Sequence, residues 1–160
     1  MSSDLSCRLM SEADIHMILP LYIEYYNGCE GGQWTAETTY KRIHQVWSRE
    51  DSLCLLLERS GEVLGFVMGY FEQYDDLKAY DLVEIVIAHR HQNQGLGTAF
   101  MKLLERQVQA LGGAMIQLEA VNDPMHDRFY SRLQYRNCTN LVLKSKWLMV
   151  PDGGAYDSQS

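Results

Sequence analysis

The chain has 160 residues, with 14 Lys and Arg against 21 Asp and Glu, a formal net charge of −7. That length suits one ordinary domain, and 46% hydrophobic residues with only 3 prolines can bury a core, which sets intrinsic disorder aside. The negative charge argues against non-specific binding to nucleic acid or to an acidic membrane, because both need a broad basic surface.

The apolar runs at 53–57 and 85–88 are far shorter than the roughly 20 residues of a membrane helix, and no basic stretch followed by an apolar one opens the chain. A cytoplasmic protein is expected, with neither a membrane nor a nucleic acid as partner. Cys7, Cys29, Cys54 and Cys138 are widely scattered, and Cys54 lies inside an apolar run, the pattern of reduced thiols.

In chain order, residues 7–10 suit a short strand. Ser11 with Asp14 three residues on resembles a capping box, opening a helix whose apolar positions include Ile15, Ile18, Leu19 and Tyr22. Pro20 is expected to kink or break it. After the glycine-bearing loop 28–32, Thr35 can cap a second helix with Tyr40, Ile43 and Trp47 on one face. Residues 53–58 and 63–71 flank Arg59-Ser60-Gly61-Glu62, a hairpin signal that makes them antiparallel strands. Residues 80–87 form a further strand. Leu96, Ala99, Phe100, Leu103, Leu104, Val108 and Leu111 then share one face of a long helix that Gly112 and Gly113 stop. A strand at 114–120, a short helix at 123–133 and a final strand at 139–146 complete the order βααβββαβαβ, a mixed α/β domain over residues 1–150 with a polar tail at 151–160.

Chemistry concentrates between the 80–87 strand and the long helix, at Gln92-Asn93-Gln94-Gly95-Leu96-Gly97-Thr98. Free N–H groups at a helix N-terminus, the macrodipole and glycines that admit close approach all suit an anion. From Ile85 to Leu104 there is no Asp or Glu, while His89, Arg90, His91 and Lys102 are present. A dinucleotide fingerprint would need a glycine where Phe100 stands, and a P-loop would need a Gly-Lys-Ser/Thr that never occurs. His89 and His91 lack a Cys or carboxylate ligand set nearby, so no metal is expected.

The pattern Gln92-x-x-Gly95-x-Gly97, after a carboxylate-bearing strand and before a long amphipathic helix, resembles the acyl-CoA pyrophosphate loop of the GNAT superfamily of N-acyltransferases. Downstream, the strand 116–122 followed by Phe129-Tyr130 and Arg132-Leu133-Gln134-Tyr135 is similar to the same family's signature. The resemblance runs from about Cys7 to Trp147. It departs at Gln134, where the family usually has glycine for a left-handed turn. It departs again at Asn122, which stands eight residues before Tyr130 where the family's Asn often stands seven before.

The resemblance implies a single-domain GNAT-like fold, a mixed and mostly antiparallel sheet with splayed parallel central strands flanked by helices. It also implies direct transfer of an acetyl group from acetyl-CoA to a primary amine in a ternary complex. Small-molecule and peptide amines are both open as acceptors, and a small cationic amine is favoured. Carried over residue by residue, Glu84 becomes the general base, directly or through water, and Tyr130 the phenol that protonates the departing thiolate. Main-chain groups of Val86 and Ile87 would hold the pantetheine arm, Gln92, Asn93, Gln94, Gly95, Leu96, Gly97 and Thr98 the pyrophosphate, and Asn122 a further part of the cofactor. Tyr22, Tyr26, Trp34 and Glu72 fall where the family binds its acceptor, a mixture of aromatic and acidic groups that suits a cation. The family often forms a homodimer through strand edges and the last segment.

Each role has a plainer alternative. Glu84 could be a structural carboxylate paired with a neighbour, Tyr130 an ordinary packing residue, and the helix-borne tyrosines part of the core. A different class of function also fits the same loop: an acyl-CoA-binding regulatory or interaction module without catalysis.

Overall fold

In the computed structural model, which describes residues 4–149, five strands form one mixed sheet in the order β1-β2-β3-β4-β5. These are β1 (Leu5–Leu9), β2 (Ser52–Arg59), β3 (Glu62–Gln73), β4 (Lys78–Ile87) and β5 (Met115–Leu118). Neighbours from β1 to β4 run antiparallel and β5 runs parallel to β4. Helices α1 (Glu12–Glu30) and α2 (Ala36–Trp47) lie between β1 and β2, and α3 (Leu96–Ala110) makes the crossover from β4 to β5. The chain divides into two compact units between Asn122 and Asp123, and α4 (Pro124–Arg132) belongs to the second.

Local chemistry accounts for the helix boundaries. The Ser11 hydroxyl accepts the Asp14 N–H while the Asp14 carboxylate accepts the Ser11 N–H at 2.7 Å, a reciprocal cap on α1. Thr35 and Thr38 do the same for α2. Pro20 neither breaks nor ends α1, which runs through it from Glu12 to Glu30. Pro20 and His16, whose carbonyl loses a donor, are both exposed, while Ile15, Ile18, Leu19 and Tyr22 stay buried on the opposite stripe. Packing there offsets the missing bond.

The sheet is buried on both faces. Ile15, Ile18, Tyr22, Ile43 and Val46 of α1 and α2 pack with Cys54, Leu56, Phe66, Met68 and Val86. Alternation along β2 sends Leu53, Leu55 and Leu57 to the other face, the side of α3, where Phe100, Met101 and Leu104 are fully buried. Each such side chain contributes roughly 1.5–3 kcal/mol by leaving water.

Two irregularities shape β4. Met68 pairs with Glu84 and Gly69 with Leu82, so Val83 is the extra residue of a β-bulge. A side chain at Gly69 would run into the Tyr80 ring, whose hydroxyl crosses that position to donate to Leu53 O at 2.7 Å. Pairing with β5 ends at Leu82 and Leu118, so residues 83–87 continue without β5 beside them, the parting of the parallel strands.

In the second unit, Asp123 caps α4 by accepting the His126 N–H at 2.8 Å, and Pro124 occupies the first turn. Gln134 takes the left-handed conformation, φ 70°, where glycine is the usual choice. The Gln134 and Tyr135 N–H groups donate to Ser131 O and Tyr130 O, which satisfies the helix end and offsets the strain. The final strand expected at 139–146 is absent among the described residues: a short apolar run makes a strand only beside a ladder partner, and Leu141, Val142 and Leu143 remain 68%, 77% and 80% exposed. No described helix is long and apolar enough to cross a membrane.

Candidate active site

Glu84 faces α1 and α2, because its cross-strand partner Met68 belongs to the core on that side. A carboxylate among Leu82, Val83, Ile85 and Val86 is costly to bury unless hydrogen-bonded. Tyr22 donates its hydroxyl to Oε2 and Tyr26 donates to Oε1, each at 2.9 Å. The two tyrosines are one turn apart on α1, so a single helix face delivers both donors. Arg42 of α2 brings Nη2 to 3.9 Å from Oε2, and the Glu84 side chain keeps 15% of its surface exposed. Glu84 is therefore paired with its neighbours and still reachable from solvent.

Tyr22 is almost wholly buried and Tyr26 half-buried. Burial first, and then the Glu84 charge, push both phenol pKa values well up, with Arg42 opposing the shift at Tyr22. Both tyrosines therefore stay protonated donors at neutral pH. Trp34 sets its ring edge-on to Tyr22 at 5.1 Å between centroids, and Asn27 fixes its backbone, donating to Trp34 O and accepting from Trp34 N at 2.8 Å each. Arg42 and Asn27 were not among the residues singled out from sequence. For Arg42 a signal existed: Thr39, Arg42, Ile43 and Val46 follow the i, i+3, i+4, i+7 spacing of the buried stripe.

Beyond β4 the chain turns through residues 89–91 and reaches α3. The Gln92 side chain folds back to donate to Ile87 O at 3.2 Å, Asn93 has φ 63°, and Gly95 caps α3 at φ 75° with no side-chain hydrogen bond. A helix start of this kind leaves the N–H groups of Leu96, Gly97 and Thr98 without intrahelical acceptors. No acidic residue lies in the first turn, and the space where Gly95 would carry a Cβ is open. These donors fit a diphosphate. The strip is less positive in space than in sequence, because Arg90 Nη2 donates to Glu62 Oε2 at 2.5 Å and His91 lies 3.4 Å from the same oxygen. Register explains this: Gly65 pairs with Ile87, which sets the start of β3 beside the end of β4.

The other expected site residues stand on several elements. Val86 and Ile87 stand on the stretch of β4 that β5 does not accompany. Glu72 pairs with Ala79, four positions along β3 from Met68, about 13 Å away. It lies against Asp81, whose carboxylate raises its pKa. Asp81 Oδ1 accepts from Gln117 Nε2 at 2.6 Å, and that amide also donates to the Tyr74 hydroxyl. Asn122 is exposed at the end of the first unit. Tyr130, in the second unit, packs its ring against Phe129 and Tyr135 at 4.9 and 5.8 Å between centroids. No group of three or more metal-ligating side chains occurs among the described residues.

The model of the acetyltransferase (GNAT) family matches residues 16–135. The chain belongs to this family. As a GNAT acetyltransferase it is an acyltransferase, and its mixed five-stranded sheet is shared with many solved structures. A transcriptional regulator from Bacillus halodurans C-125 has 16% identity over 89% of this chain and 99% of its own, with a TM-score of 0.72. A GNAT family acetyltransferase from Staphylococcus aureus USA300_TCH1516 has 18% identity over 89% and 99%, with a TM-score of 0.69. An aminoglycoside N-acetyltransferase in complex with CoA has 11% identity over 89% and 94%, with a TM-score of 0.70. No curated protein matches the chain.

Proposed function

We propose that this GNAT protein transfers an acetyl group from acetyl-CoA directly to a primary amine, with both substrates bound at once. The observation that carries the proposal is the Glu84 carboxylate, held at both oxygens by Tyr22 and Tyr26 and still partly open to solvent, on the strand that leads into the uncapped start of α3.

Acetyl-CoA supplies an acyl group already activated as a thioester. Main-chain donors from Gln92 to Thr98 bind its diphosphate, and Val86 and Ile87 align its arm by main-chain hydrogen bonds. Glu84 takes the proton from the amine, directly or through one water, which frees the nitrogen lone pair to form the amide as the carbon–sulfur bond breaks. Tyr22 and Tyr26 hold the carboxylate in one orientation, so little reorganisation accompanies the proton transfer. Trp34 and Tyr26 wall the acceptor side. The assignments of Tyr130 as proton donor to the leaving sulfur and of Asn122 as a cofactor contact rest on the sequence match around Phe129-Tyr130. Glu72 contributes a more distant negative charge that attracts an amine.

A thiol-release assay with acetyl-CoA against a panel of amines tests this. Turnover is expected, with Glu84→Gln lowering kcat/KM by about 10²–10³-fold while the affinity for acetyl-CoA measured by calorimetry stays the same. Acetyl-CoA binding without thiol release for any amine would assign the protein as an acyl-CoA-binding module instead.

A further inference from the structure

Arg42 forms one wall of the Glu84 site and keeps donors that Glu84 does not occupy. A closed guanidinium–carboxylate pair brings nitrogen and oxygen to about 2.7–2.9 Å, often at two points. Here Nη2 stops at 3.9 Å, and the Tyr22 and Tyr26 hydroxyls already sit on the two carboxylate oxygens at 2.9 Å. Arg42 Nε is buried with no hydrogen-bond partner among the described residues, while the side chain as a whole is 41% exposed. A guanidinium shared with the Tyr22 hydroxyl, its Nε buried without a partner and its side chain partly exposed, thus stands beside the proposed base with donors to spare.

We infer that Arg42 binds the carboxylate of the acceptor, so that the acceptor is a free amino acid whose amine meets Glu84. The inference rests on the acyl-transfer reading of this site and narrows the acceptor from a cationic amine to a zwitterion. Charge balance selects that class. Glu84 and Arg42 together sum to zero, as do an ammonium and a carboxylate, so the bound zwitterion sets each charge beside its opposite. A purely cationic amine would reach Glu84 with the like charge of Arg42 next to it. An amine bearing a phosphate would bring up to two negative charges to one guanidinium with Glu84 alongside.

The test pairs amino acids with their decarboxylated amines, phenylalanine with phenethylamine and leucine with 3-methylbutylamine, and adds glucosamine 6-phosphate. Binding is read by calorimetry on protein saturated with CoA, and turnover by thiol release from acetyl-CoA. The expected result is that amino acids bind at least about 10-fold more tightly than their amines and exceed them about 100-fold in kcat/KM. In Arg42→Met the two members of each pair should become equal, chiefly through a higher KM for the amino acid. A guanidinium that only supports the fold would lower both alike and leave their ratio intact, which overturns the inference. So does a wild-type protein that binds no amino acid, prefers the decarboxylated amine, or prefers the amino sugar phosphate. If the binding preference and its loss in Arg42→Met appear without thiol release, the amino-acid site stands and the acyl-transfer reading falls.

Discussion

β4 carries two acidic residues three positions apart, and their surroundings differ in kind. Asp81 meets another carboxylate, Glu72, and a Gln117 amide. Glu84 meets two phenols and a guanidinium. In a regular strand, residues three apart face opposite sides. The bulge at Val83 removes that alternation: Asp81 pairs with Tyr70 and Glu84 with Met68, two β3 residues on the same face. One face thus holds a carboxylate that accepts a hydrogen bond from each of two phenols with a guanidinium 3.9 Å away, and another that lies against a second carboxylate and an amide. Only the first is held at both oxygens by hydrogen-bond donors, the fixed orientation that suits a proton acceptor.

The largest test of this contrast replaces each acid by its amide. Glu84→Gln should lower kcat/KM by about 10²–10³-fold, whereas Asp81→Asn should change it less than about 3-fold. Equal losses in the thiol-release assay would show that the two carboxylates work as one cluster. Removing a donor is the next step down. Tyr22→Phe leaves Oε2 with only the more distant Arg42, and should cost about 1–3 kcal/mol in urea unfolding together with about a 10-fold loss of kcat. Loss of stability with full activity would make the tyrosine a packing residue and nothing more.

Alkaline pH probes the same pair. The phenol pKa values of Tyr22 and Tyr26 lie above their unfolded value of about 10. The stability these groups contribute is therefore complete below about pH 10 and falls as pH rises beyond it. Urea midpoints should decline above about pH 10 in the wild type, and less steeply in the Tyr22→Phe/Tyr26→Phe double variant. An identical slope in both proteins would mean that these phenols are not perturbed.

Much of the fold follows from short-range chemistry that a sequence displays. Ser11 and Asp14, Thr35 and the Ser60-Gly61 turn act within a few residues of themselves, and Gly112, at φ 91°, stops α3 as its position implied. Glu84 was also legible, because an acid between Val83 and Ile85 has to be explained. What depends on register was not. The Val83 bulge is a property of how β3 and β4 pair, so the face that Glu84 occupies could not be read from β4 alone. Arg42 reaches the site from another element with a long side chain, and Glu62 reaches Arg90 from the start of β3. The apolar run Leu141-Val142-Leu143 likewise describes a segment fit for a sheet without saying whether a neighbouring strand will accept it.

The smallest expected effect concerns Glu72. Its pKa is raised, first by its hydrogen bond with Asp81 and then by the charge of that neighbour. The folded state therefore holds this proton more tightly than the unfolded chain does, and stability declines as pH rises through the usual carboxylate range and on to the raised folded value. Glu72→Gln removes the like-charge contact. The wild-type decline in stability above about pH 4 should flatten, and Tm at pH 7 should rise by less than about 2 °C, because the residue is solvent-exposed and its charge well screened. Its effect on turnover should stay under about 3-fold, since from about 13 Å along β3 it acts on an approaching amine only through a screened field. A drop in kcat/KM comparable to that of Glu84→Gln would instead join the two acidic neighbourhoods into a single acceptor site, with Glu72 touching the amine.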